Sequence, residues 1–110
     1  PLVSNEQLAL IQQAVQKIKT SDAILDYVQR LVAFTRSDAS FSYGLSPRGA
    51  LALLRAAKAW ALIHNRAYLV PEDVQAVLLA VVGHRVRGTG HNQDSEALVK
   101  HLRASVNVLG

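Results

Sequence analysis

Apolar residues recur along this chain at intervals of three and four, the repeat of helices that each bury one face. Leu8, Ile11, Val15 and Ile18 form the first stripe, behind Ser4 as N-cap and Gln7 in capping-box register, and predict a helix over about residues 5–18. Thr20-Ser21-Asp22 offers a new cap, after which Ile24, Leu25, Val28, Leu31 and Val32 carry a second helix to about Arg36. Residues 37–46 show no sustained period and read as a loop. It ends at Ser46-Pro47, a cap followed by proline at the first helical position, where a missing N–H costs nothing.

The helix that starts there has only Arg55 and Lys58 as strongly polar residues between Ala50 and Ile63, so it should lie largely buried among the others. Asn65 and Arg66 close it. Val70-Pro71-Glu72-Asp73 opens a fourth helix, with two carboxylates facing the positive end of its dipole and Val74, Val77, Leu78 and Val81 as its buried stripe. Gly83, Gly88 and Gly90, with Arg85 and Arg87 between them, form a connection. Asp94 or Ser95 then caps a last helix whose apolar face is Leu98, Leu102 and Val106. No segment alternates at period two, so the pattern predicts an all-α fold, a bundle of four to five helices with a largely buried third helix.

Half of the 110 residues are hydrophobic, enough for one modest core and too little for two, so residues 1–110 are expected to form a single helical domain. Cysteine is absent, which removes disulfides, thiolate metal sites and cysteine nucleophiles and suits a reducing cytoplasm. The first residues lack the basic start and apolar run of a secretory signal, and no apolar stretch approaches the roughly 20 residues of a membrane span. A soluble, cytoplasmic protein is expected. Twelve Lys and Arg against eight Asp and Glu give a formal charge of +4, but the basic residues are scattered.

Phosphoryl transfer needs a phosphate-cradling loop, and no Gly-Lys pair occurs anywhere in the chain. No apolar strand ends in paired acids to hold magnesium. The chain by itself should be inert towards ATP. His64, His84, His91 and His101 have no metal-ligand spacing, and a Ser-His-Asp set, though composable, has no nucleophile elbow to support it.

One segment stands out, Gly44-Leu45-Ser46-Pro47-Arg48-Gly49. It puts an arginine in the first turn of a well-capped helix, where free backbone N–H groups already favour anions and a forked guanidinium suits phosphate oxygens. Gly44 and Gly49 would let another surface approach closely. Arg55, seven residues on, shares the face of Arg48 about 10 Å along the axis. On these grounds alone Arg48 reads sooner as an ordinary solvated cation than as a phosphate contact.

The stretch from Gly44 to Val86 resembles the helical lid of MoxR-family AAA+ ATPases. Those proteins open a lid helix with Gly-x-Ser-Pro-Arg, follow it with a Gly-Arg-x-Tyr-Val-x-Pro-x-Asp-Val stretch, and end the next helix with His-Arg. Here these are Gly44 to Arg48, Asn65 to Val74 with asparagine in place of the usual glycine, and His84-Arg85. Ser4 to Arg36 is similar to the segment linking the ATPase core to the lid, and Glu96 to Val108 to the terminal helix. The resemblance implies that Arg48 is the second sensor arginine, reaching the γ-phosphate of ATP, with Ser46, Pro47 and Gly49 shaping that contact and no catalytic residue in this chain alone. It implies ATP as ligand, with magnesium held by a core domain outside the sequence. It further implies that core and neighbouring subunits of a ring, a hexamer, as partners, alongside von Willebrand factor A-domain proteins, and chaperone-like remodelling of protein complexes as the activity. Neither membrane nor nucleic acid is an expected partner. The alternative is a basic helical DNA-binding or protein-interaction adaptor, drawing on Arg48, Arg55 and Lys58, though the polar base-reading helix of such a module is missing.

Overall fold

The start signals of the first four helices are used. The computed structural model describes residues 4–83, 87–88 and 95–109, with only the backbone of Tyr43, Arg87 and Gly88. It contains α1 (Asn5–Gln16), α2 (Asp22–Ser37), β1 (Phe41–Tyr43), α3 (Pro47–Ile63), α4 (Pro71–Val82), β2 (Arg87–Gly88) and α5 (Ser95–Ser105). Ser4 and Gln7 close a reciprocal capping box at 2.9 and 3.1 Å. Ser21 Oγ accepts from the Ile24 N–H at 3.2 Å. Pro71 stands first in α4, where Asp73 Oδ2 takes the Val70 N–H at 2.9 Å. The expected His84-Arg85 ending, together with Gly90, His91 and Asp94, lies outside the described residues.

α1 stops at Gln16, two residues before its apolar stripe ends. Ile18 is drawn off the helix and buried, because Lys19 pairs with the α3–α4 connection: its N–H donates to Ala67 O and its C=O accepts from the Leu69 N–H, both at 2.9 Å. Within α1 itself nothing is buried, and Leu8 and Ile11 are each 47% exposed, contrary to the core-facing stripe expected there. Leu25 of α2 is also exposed, and Tyr27, fully buried with its hydroxyl 3.3 Å from Gln75 Nε2, packs inward.

α3 is central, as expected, touching α1, α2 and α4. Gly49, Leu53, Ala57 and Ala61 form its buried ridge, and these mostly small residues at intervals of four let α4 pack closely along it. Leu51, Trp60 and Ile63 nevertheless reach the surface, so the helix shows an apolar strip to water as well as a polar one. α4 buries Val74, Val77, Leu78, Val81 and Val82 against this ridge, and Val99, Leu102 and Val106 bring in α5. Phe41, Leu45, Ile18 and Leu69 complete one continuous core from the connecting segments.

The loop expected at residues 37–46 contains a small exception to the all-α pattern. β1 pairs antiparallel with β2, Phe41 opposite Gly88 and Tyr43 opposite Arg87, with an irregular register between them. Two strands this short have no period to read, so the ribbon is a product of tertiary closure. Among the described residues no helix is long and apolar enough to cross a membrane.

Candidate functional site

The start of α3 is held by its own side chains. Ser46 is extended at φ −76° and ψ 165°, and its Oγ accepts from the Gly49 N–H at 3.0 Å, while Pro47 occupies the first helical position. Ser46, Pro47 and Arg48 are exposed and Gly49 is buried. Because Pro47 has no N–H and the Gly49 N–H is taken, the helix start offers anions less free backbone than the sequence suggested. The guanidinium is the principal donor left. Among the described residues, no side chain or carbonyl pairs with Arg48.

What the sequence did not reveal is how this start is tied to α2. Thr35, 1% exposed, accepts the Leu45 N–H on Oγ1 at 2.9 Å and donates its own proton to Val32 O at 2.7 Å. Arg36 Nε donates to Leu45 O at 3.0 Å, so both backbone groups of Leu45 are bound to consecutive residues of one helix. Gly44 lies so close that an added Cβ would stand 2.6 Å from Arg36 Cγ and 2.9 Å from Thr35 O. The close approach expected of Gly44 is therefore to the end of α2, within the chain, and not to another surface.

Arg55 is exposed on the same face of α3 and has no partner among the described residues. With Ile11, Gln12, Val15 and Gln16 of α1 it lines an open groove of about 450 Å³. The edge that carries Arg48 and Arg55 thus borders an uncharged face of the helix that buries nothing of its own.

The AAA lid domain family model matches residues 33–102, from the end of α2 into α5. The chain belongs to the AAA lid family, of MoxR type. It is 33% identical over 98% of its length to the uncharacterized protein YeaC of Bacillus subtilis, of which it covers 35%. It is 31% identical over 77% of its length to the chaperone MoxR1 of Mycobacterium tuberculosis, of which it covers 25%. The crystal structure of a candidate ATPase from Cytophaga hutchinsonii superposes with a TM-score of 0.83 at 27% identity, over 93% of this chain and 35% of that one. The lid therefore spans about a third or less of the length of these relatives.

Within the lid, the connection from α3 to α4 accounts for the family-like stretch in physical terms. Asn65 has φ 59°, a left-handed conformation that glycine adopts freely and asparagine tolerates best among side-chain-bearing residues. This explains why asparagine can stand where the family usually has glycine. Arg66 forms an ion pair with Asp73, whose side chain is fully buried. Glu72 and Asp73 both stand in the first turn of α4, as expected; Glu72 stays at the surface, and Asp73 turns inward to bind Arg66 and the Val70 N–H together. Arginine and aspartate seven residues apart around a proline were the available signal.

The lid also brings a Ser, a His and an Asp together. His101 Nε2 lies 3.1 Å from Asp38 Oδ2 and 3.5 Å from Ser40 Oγ. Asp38 and Ser40 share Nε2, and Ser105 Oγ, one turn further along α5, stands 3.5 Å from Nδ1, at the outer limit of a hydrogen bond. The cluster is a clamp between α5 and the end of α2, walled by Phe34 and Phe41 with ring centroids 5.4 and 6.3 Å from that of His101. Hydrogen bonds from the Ser40 side chain, then from its N–H and from His101, hold the Asp38 carboxyl below the ordinary carboxylate range, with loss of hydration pulling the other way. His64 caps α3 and bonds Trp60 O through Nδ1 at 2.8 Å.

Proposed function

We propose that this lid senses nucleotide bound to the core domain of a longer MoxR-type ATPase, and that Arg48 makes the contact to the γ-phosphate. The single observation that carries the reading is an exposed guanidinium, without a partner among the described residues, on the first turn of a helix whose start is held on both sides by Ser46 and by α2. Such a group fits a phosphate oxygen as a permanently charged, forked donor. In this reading magnesium is held by the core domain, outside this chain.

Bound ATP supplies a multiply charged terminal phosphate. Ser46 fixes the cap, Pro47 fixes the backbone angle, and Arg48 then projects from a defined point on the lid. While Arg48 has its anion, the lid-closed arrangement is favoured. Without it the closed state loses that charge-assisted bond and the lid is free to rotate. In a ring of subunits, a hexamer, such rotation would drive chaperone-like remodelling of protein complexes, with von Willebrand factor A-domain proteins as partners.

In the full-length protein, Arg48→Ala should lower ATP turnover about a hundredfold, the scale of one lost transition-state donor, while the melting temperature of the lid stays unchanged. Wild-type turnover in that variant overturns the reading. A chemical-shift titration of this chain with ATP and with duplex DNA separates it from nucleic-acid binding, which would respond over a broad basic surface and fall steeply with salt.

A further inference from the structure

We propose that the Thr35 hydroxyl, seconded by the Arg36 guanidinium, is the positioning device that sets where Arg48 reaches; the inference rests on the sensing role given to Arg48 above. Leu45 is the relay. Its side chain is 1% exposed, its N–H is bound by Thr35 Oγ1 and its C=O by Arg36 Nε. These hydrogen bonds hold the two peptide units that flank the Leu45 Cα, one each, whereas apolar burial alone leaves the backbone free to slide or rotate.

From Leu45 to Arg48 the chain contains no soft joint. Ser46 is locked by the bond from the Gly49 N–H, and Pro47 has a ring-fixed φ. On the other side, Gly44 is pressed against Arg36 and Thr35 with no room for a Cβ. A displacement of Leu45 therefore shifts the backbone from which Arg48 projects. Thr35 is itself anchored, because the proton it gives to Val32 O orients its remaining lone pairs toward Leu45. Valine would fill the same volume but leave a buried N–H without an acceptor.

The same turn of α2 holds Asp38, bound to His101 of α5, so residues 35–38 tie the start of α3 and the terminal helix to one rigid end. Thr35 and Arg36 touch no nucleotide in this scheme. They act through Arg48.

The test uses the full-length protein. Thr35→Val should lower kcat for ATP by ten- to a hundredfold, the scale of a misplacement of about 1 Å at a reacting group, and Thr35→Ser should restore most of it. Arg36→Gln, a change at an exposed side chain, should give a smaller loss in the same direction with the fold intact. The decisive readout is the double-mutant cycle: in an Arg48→Ala background neither change should lower turnover further, because the group being positioned is gone. Independent, multiplicative losses in that background overturn the proposal. Wild-type turnover in Thr35→Val and Arg36→Gln, with Arg48→Ala impaired, overturns it too and leaves the sensing role standing. Wild-type turnover in Arg48→Ala removes the sensing role and this inference with it. Should Thr35→Val fail to fold, the Arg36→Gln cycle decides alone.

Discussion

The α3–α4 hairpin and α1 are helical for equally good local reasons and end in opposite situations. α1 has the better N-terminal cap, a reciprocal capping box, yet none of its residues is buried. The hairpin joins a ridge of small residues to a valine-rich face and closes over an ion pair whose carboxylate has no exposure to water. Caps and periodicity decide that a helix forms; what it is for depends on whether its apolar face meets another. In the hairpin that face is spent on the core. On α1 it remains available beside Arg55, along the edge that also carries Arg48.

The contrast can be broken most forcefully at Asp73. Asp73→Ala leaves Arg66 without its partner and strips the cap of α4, and should cost about 3 kcal/mol in chemical denaturation, the lower end for a broken buried pair because Arg66 is partly solvated. A loss below about 1 kcal/mol would mean that the pair does not hold the hairpin. Next comes a matched pair of truncations. Leu53→Ala, at a fully buried position, should cost about 2–3 kcal/mol, and Ile11→Ala on α1 no more than about 0.5 kcal/mol. Equal effects would erase the distinction. A larger effect of Ile11→Ala in the full-length protein than in this chain would show that the α1 face is covered there.

Smaller effects sharpen the picture at the joints. Asn65→Val should cost about 1–2 kcal/mol by forcing a β-branched residue to a positive φ, while Asn65→Gly should be close to neutral. Similar losses in both would point to the asparagine side chain instead of the backbone. The smallest effect concerns pH. Asp38 titrates lower in the folded chain than its unfolded value of about 3.9, so its stabilisation is fully present above that value and is lost as pH falls through the lower folded one. Asp38→Asn should be less stable than the parent at neutral pH, and the two should converge on acidification. Denaturation curves that stay parallel down to pH 3 would show that the clamp to His101 does not depend on the charge.

Five helices and four of their starts were legible in the sequence, because capping and amphipathic spacing act within one or two turns of chain. Arg48 was legible as well, through the Ser-Pro-Arg segment and its resemblance to the MoxR lid. The hold on Arg48 was not. Thr35 and Leu45 are ten residues apart across a helix end, a strand and a turn, and no periodic pattern marks a threonine whose hydroxyl will meet a distant N–H. The inward turn of Asp73 was hidden for the same reason: position in the first turn announces a favourable dipole contact, and only the packed hairpin shows Arg66 inside.

The sequence by itself determined where helices begin, which residues could face a core, and that an arginine would stand at the opening of the third helix. Tertiary structure alone decided which apolar faces are buried, that the face of α1 is not, and that the end of α2 holds the start of α3. The physical reason is reach. Caps and stripes are satisfied by neighbours along the chain, whereas the partners of Thr35, Asp38 and Arg66 exist only once separate elements have been packed against one another.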